Sequence, residues 1–255
     1  MLLAIDVGNT GIGLGIFEGE HLRVTWRMAT SISRTPDEYA ALLLPLLNHE
    51  GLQTADITEV CICSVVPPMI GTLEALFERY FTAKTLVVGA GTKTGVKIRM
   101  DNPREVGPDR IVHCAAAYQL YGGPLIIVDT GTATTFDTVS KEGEYTGGAI
   151  APGLQTAAEA LFARTAMLPR VKLTRPNKAI GTNTIAAMQS GIIFGFVGLI
   201  EGMVNRIQKE LPSKAKVIVT GGYVDIIAKE TSIIDEVNPN LILIGLRMVY
   251  AMNKT

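Results

Sequence analysis

Three aspartates stand where chemistry is expected: Asp6 in AIDVGNTGIG, Asp109 in NPREVGPDR and Asp129 in IIVDTGTATTFD. Asp6 and Asp129 each close a run of apolar residues, and each is followed by a glycine two positions on, then by amide or hydroxyl side chains. A carboxylate at a strand's end beside such a turn lies among exposed backbone N–H groups, with no side chain blocking a phosphate. The carboxylate itself repels phosphate, so its natural partner is a hydrated metal ion that bridges to the phosphate. Asp-x-Gly also marks a plain hairpin turn, and for Asp6 taken alone the two readings stand level. The recurrence at Asp129, with Thr132, Thr134 and Thr135 beyond Gly131, favours chemistry. Two such loops facing across a cleft would clamp both sides of a polyphosphate.

Asp109 and Arg110 end a loop rich in polar and rigidifying residues, DNPREVGPDR, just before an apolar helical run. There the helix N-terminus favours anions. Arg110 suits a substrate carboxylate or phosphate in bidentate fashion. Asp109 suits the proton of a hydroxyl, as the base of a phosphoryl transfer; a helix-capping aspartate with a surface ion pair is the plainer alternative. Thr220–Gly222 (TGG) follows a buried strand and permits close approach of a flat ring, or is a turn. Gly147–Gly153 is a glycine-rich crossover, and Thr184 in GTNT offers a hydroxyl. His21, His49 and His113 are scattered, and Cys61 and Cys63 fall within a strand predicted to be buried, which disfavours thiol catalysis. Neither GxGxxG after a first strand nor GxxxxGK[ST] occurs.

The elements that must position these residues read as follows. Three short strands open the chain, separated by Gly11–Gly13 and the turn at Gly19, and a capped helix follows from Thr35–Pro36 to Gly51. VCICSVVP is a continuous apolar strand, fit for a sheet buried on both faces. A helix, a strand, the Asp109 loop and a helix over Ile111–Leu120 come next. PLIIVDTGT, ATTFDTVS and YTGGAIAPG then repeat the opening meander. Helices from about Leu154 and over Ile185–Leu211, a strand KAKVIVTGGY and a closing helix LILIGLRMVYAM complete the chain. This is an internal repeat of about 120 residues. It predicts two α/β lobes with mixed sheets, 1–122 and 123–255, a cleft between them, and a last helix that packs back on the first lobe.

Of 255 residues, 47% are hydrophobic and 18% charged, which supports a large core. The 23 basic and 24 acidic residues leave a net charge of -1, giving no electrostatic case for nucleic acid or an anionic membrane. Three cysteines without a CxxC pair support neither a disulfide framework nor a zinc site. The run Gly191–Ile200 is short of a membrane span and reads as a buried helix, so the expectation is a cytoplasmic protein.

With DVGNT, DNPREVGPDR, DTGTATTFD, GGAIAPG and GTNT in this order, the chain resembles the type III pantothenate kinases, from Met1 to the last helix. That resemblance implies a duplicated ribonuclease-H-like, actin-like ATPase fold and transfer of the ATP γ-phosphate to pantothenate, the first step of coenzyme A synthesis. It also implies a homodimer whose partner subunit completes each pantothenate pocket. By resemblance, the first phosphate motif falls on Asp6, Val7, Gly8, Asn9, Thr10, Gly11, Ile12 and Gly13, with magnesium at Asp6. The base falls on Asp109, and Gly107, Pro108 and Arg110 line the pantothenate site. Asp129 binds an activating potassium or ammonium ion, Thr132 contacts ATP and Thr184 contacts substrate. Where relatives carry a pocket-lining Tyr, this chain has Met100, which points to a reshaped pocket. Two other readings follow from the same family and fold: a non-catalytic transcriptional accessory factor, and a kinase for another small hydroxy substrate.

Overall fold

The computed structural model describes residues 1–254. Strands β1 (Leu2–Val7), β2 (Gly11–Glu18) and β3 (His21–Ala29) form the opening meander, followed by α1 (Pro36–His49), β4 (Glu59–Ser64), α2 (Pro67–Tyr80) and β5 (Lys84–Val87). Short β6 (Lys97–Ile98) leads to α3 (Pro108–Tyr121). The second meander is β7 (Leu125–Thr130), β8 (Ala133–Val139) and β9 (Glu144–Pro152). After it come α4 (Leu154–Arg164), α5 (Thr184–Glu210), β10 (Lys216–Gly221), α6 (Val224–Ile227), β11 (Glu236–Val237) and α7 (Leu241–Asn253).

The repeat is topological. One sheet runs β3-β2-β1-β4-β5 and the other β9-β8-β7-β10-β11, with β6 added beside β9. In each, an antiparallel meander is extended by parallel strands, so both sheets are mixed. Contacts divide the chain into two units, 1–95 with 102–116 and 242–255, and 96–101 with 117–241. The closing helix α7 therefore belongs with the first sheet.

Side-chain alternation along β1 decides what each face meets. Leu3, Ile5 and Val7 pack with Tyr39, Leu43 and Leu47 of α1 and Leu73 and Phe77 of α2. Leu2 and Ala4 face the other way, joining Cys61 and Cys63 of β4, Val112 of α3 and Leu243, Leu246 and Val249 of α7. Asp6, two residues beyond Ala4, thus points to the face that α3 covers. In the second unit Ile126, Val128, Phe136, Val217 and Val219 pack against α4, α5 and α6.

Helix α1 begins as its sequence predicts. Thr35 accepts from the Glu38 N–H, Glu38 reaches back to the Thr35 N–H, and Pro36 occupies the first turn. Helix α5 differs from expectation. It spans 27 residues, and an 18-residue window with mean hydropathy 1.5 is only 39% buried, so it is long and apolar enough by length and composition to cross a membrane. Ile192, Ile193, Phe196, Val197 and Ile200 are buried while Gly191, Gly195 and Gly198 lie exposed. The helix is one-sided rather than wholly buried because only one flank meets the sheet.

Candidate functional site

In the first unit, the β1–β2 turn is closed by the Gly8 N–H donating to the Gly11 carbonyl at 3.0 Å. Thr30 Oγ1 donates to the Gly8 carbonyl at 2.7 Å, fixing the turn from β3. Asn9 and Thr10 are exposed at its tip. Val7 and Ile12 are core residues with 0% and 1% of their surface exposed, so only their backbone is available to a ligand. Asp6 is half-buried and pairs laterally with Gly13 on one side and Cys63 on the other. Gly13 leaves that flank of the carboxylate open: a Cβ there would stand 4.0 Å from Asp6 Cβ.

Asp109 lies in the first turn of α3, and the Arg110 N–H donates to its Oδ1 at 2.9 Å. A side chain at Gly107 would place Cβ 2.5 Å from the same oxygen, so it would displace the carboxylate from this position. Ahead of it, the Asn102 amide donates to Glu105 and its carbonyl accepts from the Arg104 N–H, folding the loop into a tight turn. Burial pushes the Cys63 thiol well above its ordinary value, and the Asp6 and Asp109 carboxylates push it further. Both acids are therefore within electrostatic reach of one buried sulfur. A carboxylate on a sheet strand beside a glycine turn and a second in the first turn of the helix over that face suit a cation-bridged phosphate and a hydroxyl to be deprotonated.

In the second unit, Asp129 ends β7 opposite Thr135 of β8 and Thr220 of β10. Gly221 has φ +94°, and a Cβ on it would stand 2.5 Å from Asp129 Oδ1 and 2.7 Å from the Thr130 nitrogen. The space that Gly221 leaves is thus taken by the aspartate, whereas a Cβ on Gly222 would meet only the Thr130 carbonyl oxygen, at 3.6 Å. Thr130 Oγ1 contacts the Thr220 and Gly222 carbonyls at 2.9 and 2.5 Å, tying β7 to β10. The exposed Thr132 offers its side chain outward while its carbonyl accepts from the Gly153 N–H at 3.1 Å and Thr156 Oγ1 at 2.7 Å. Gly153 permits this, since a Cβ would sit 2.2 Å from the Gly131 carbonyl oxygen. Neither the Gly153 nor the Gly221 requirement is visible in sequence, where each is one glycine among 26.

Met100 follows β6, which the Arg99 N–H fastens to the Tyr145 carbonyl at 2.8 Å and its guanidinium to Glu144 at 2.9 Å. Its sulfur would lie 3.3 Å from a Cβ at Gly147, whose φ is +112°. Thr184 is the first residue of α5, capped by Asn183 accepting from the Ala186 N–H at 2.9 Å. It lines a groove of about 900 Å³ with Leu154, Leu161, Met188 and Leu199. That groove is large but apolar, and holds none of the three aspartates. The structure thus gathers Asp6 to Gly13 with Gly107 to Arg110 in the first unit, and places Met100, Asp129, Thr132 and Thr184 in the second.

Among the described residues no group of three or more His, Cys, Asp or Glu gathers as a metal cage. A single carboxylate beside a glycine turn fits magnesium, which keeps several waters and is held through one or two carboxylates and substrate phosphates.

Residues 2–206 match the family model described as type III pantothenate kinase. The chain is 56% identical over 253 residues to the type III pantothenate kinase of Dehalococcoides mccartyi strain CBDB1, covering 99% of this chain and 96% of that one. It is 53% identical to that of Moorella thermoacetica, covering 99% and 100%. Among solved structures, it is similar to a Campylobacter jejuni protein described as a Baf family transcriptional activator, with TM-score 0.62, 18% identity and 98% of each chain covered. Component A of the (R)-2-hydroxyglutaryl-CoA dehydratase of Acidaminococcus fermentans gives 0.57 at 15% identity over 99% of each. These likenesses establish the fold, that of the actin-like ATPases and sugar kinases.

Proposed function

The chain belongs to the type III pantothenate kinase family and is a kinase acting on pantothenate, and we propose that Asp109 is its general base. ATP with a divalent metal is the phosphoryl donor that this kinase chemistry implies. The observation that carries the assignment is that Asp109 opens helix α3, which packs on the face of the first sheet towards which Asp6 points.

In this reading the glycine turn from Asp6 to Gly13 and the exposed Thr132 hold the nucleotide phosphates through backbone N–H groups and a hydroxyl. Asp6 would hold magnesium, whose positive charge would favour the phosphate oxygens on which negative charge develops. Asp109 accepts the proton of the pantothenate primary hydroxyl. That oxygen forms its bond to the γ-phosphorus as the bond to the bridging oxygen breaks and ADP leaves. Arg110, Gly107, Pro108, Met100 and Thr184 orient the acceptor, and orientation lowers the barrier by holding oxygen and phosphorus in line. Asp129 serves a potassium or ammonium ion. The apolar groove that Thr184 lines is the surface a second copy of the chain covers, giving a homodimer, and the enzyme works in the cytoplasm without nucleic acid or membrane.

A coupled assay with purified protein, pantothenate, ATP, magnesium and potassium tests this, run beside other hydroxy acids. Turnover with pantothenate, lost in Asp109→Asn while ATP still binds, is the expected result. Turnover only with another acceptor would move the substrate, with Met100 the first suspect. No turnover with any acceptor would favour the accessory-factor reading.

A further inference from the structure

Tyr223 is the only non-glycine residue with positive φ among the described residues, at φ 62° and ψ 7°. A bulky side chain in the left-handed region is disfavoured, and such strain persists where the surroundings over-determine it. Its surroundings do. The preceding Gly222 N–H donates to the Thr130 carbonyl at 3.0 Å, and the Tyr223 carbonyl accepts the Ile226 and Ile227 N–H groups of α6. At the other end of the side chain, the phenol donates to Gln155 Oε1 at 2.9 Å. Gln155 lies in the first turn of α4, next to the Thr156 whose hydroxyl holds the Thr132 carbonyl. The ring is thus pinned at both ends around the Asp129–Thr132 loop, by its backbone on the β10 side and its hydroxyl on the α4 side. Yet 38% of the residue remains exposed.

An aromatic ring held rigid, half in solvent and beside a phosphate-binding loop is built to stack a flat base, since rigidity removes the ordering cost of contact. We infer that Tyr223 is a base-recognition residue of this kinase, a platform for the purine of the nucleotide whose phosphates meet Gly131 and Thr132. The inference rests on the reading of that loop as a nucleotide site. The alternative is a strut, in which the phenol only tethers α4.

Two variants separate these. Tyr223→Asn removes the ring at a position whose backbone asparagine tolerates, so its melting temperature should match or exceed that of the wild type. Tyr223→Phe keeps the ring and cuts the tether. Calorimetric titration of the full chain with ATP and with inorganic tripolyphosphate, which has no base, reads the effect. For Tyr223→Asn we expect ATP affinity to fall about tenfold or more, tripolyphosphate affinity to stay within about twofold, and ATP KM to rise with kcat nearly unchanged, as loss of one stacked base contact implies. Tyr223→Phe should stay within about threefold of the wild type in all of these, its tether being one neutral hydrogen bond. Unchanged ATP affinity in Tyr223→Asn overturns the inference. So does an equal loss for ATP and tripolyphosphate, or an equal loss in both variants, which is the strut's signature. If the wild type binds neither ligand, the nucleotide reading of the loop falls first, whatever the variants do.

Discussion

Asp6 stands between Gly13 and Cys63, whereas Asp129, at the matching place in the second sheet, stands between Thr135 and Thr220. The backbone pairings are the same, and the flanking chemistry is not. In the first sheet an open glycine flank and a buried neutral thiol leave the carboxylate facing α3, where Asp109 waits. In the second, hydroxyl-bearing neighbours surround the acid, and a glycine at φ +94° makes room for it. The next layer down diverges too. Gly15 lies against Leu243 of α7, whereas its counterpart Asp137 is fully buried and accepts from Tyr145 Oη at 2.9 Å and Thr135 Oγ1 at 3.0 Å. A buried carboxylate is tolerated only when so satisfied. The parallel strand beside each acid, β4 or β10, also leads into a different cap. Val66, at φ -123° and ψ 86°, caps a 14-residue helix, and Tyr223 caps a four-residue helix in the left-handed region. One framework recurs in both sheets, and different side chains flank its two acids.

The sharpest break in that comparison is Asp109→Asn, since the proposed base lies in the first half alone. Turnover should fall roughly 10² to 10⁴-fold, the usual worth of a general base, with ATP affinity within a few-fold by calorimetry. Near wild-type turnover would sink the assignment. Next is the matched pair Gly221→Ala and Ser64→Ala. The first forces Cβ into Asp129 in a strained conformation and should cost about 1–3 kcal/mol, read as a melting temperature lower by roughly 2–10 °C. Ser64 Oγ donates to the Val66 carbonyl and accepts its N–H, both at 3.0 Å, so its loss should cost about 1 kcal/mol. Equal effects would mean that the two strand ends are not specialised.

Asp129→Asn should bring the rates in potassium and sodium salts together, while Asp6→Asn should leave their ratio as in the wild type. A wild type faster in potassium with both variants keeping that ratio would place the cation elsewhere, and a wild type equally fast in both salts would remove the proposed cation role of Asp129. The smallest effect concerns the thiols. Burial pushes Cys61 up to about 12 and Cys63 well up, the latter with help from Asp6 and Asp109. In the unfolded chain a thiol ionises near pH 8.5. The folded state then holds protons that the unfolded state releases, so stability falls as pH rises from about 8.5 towards 12. Urea titrations at pH 8 and pH 10 should show a smaller loss in Cys63→Ala than in the wild type; identical slopes would remove Cys63 from the account.

Much of this was legible in the residues. Short apolar runs separated by glycine turns marked both meanders. Thr35, Pro36 and Glu38 announced α1, and the Asp-x-Gly pairs marked the two loops. These signals are local, because strand alternation and helix caps depend on neighbours a few positions away. The sequence alone therefore determined the repeat, the element order and the candidate acids. Two-residue β6 and β11 escaped notice because such short strands exist only through pairing with β9 and β10. Tertiary structure alone decided that Asp6 and Asp109, 103 positions apart, address one buried thiol. It also decided that Gly221 yields its space to Asp129 and that Tyr223 is held against its backbone preference. The physical reason is register: which face a side chain meets depends on the strand paired beside it and the helix laid across it, and those partners lie far along the chain.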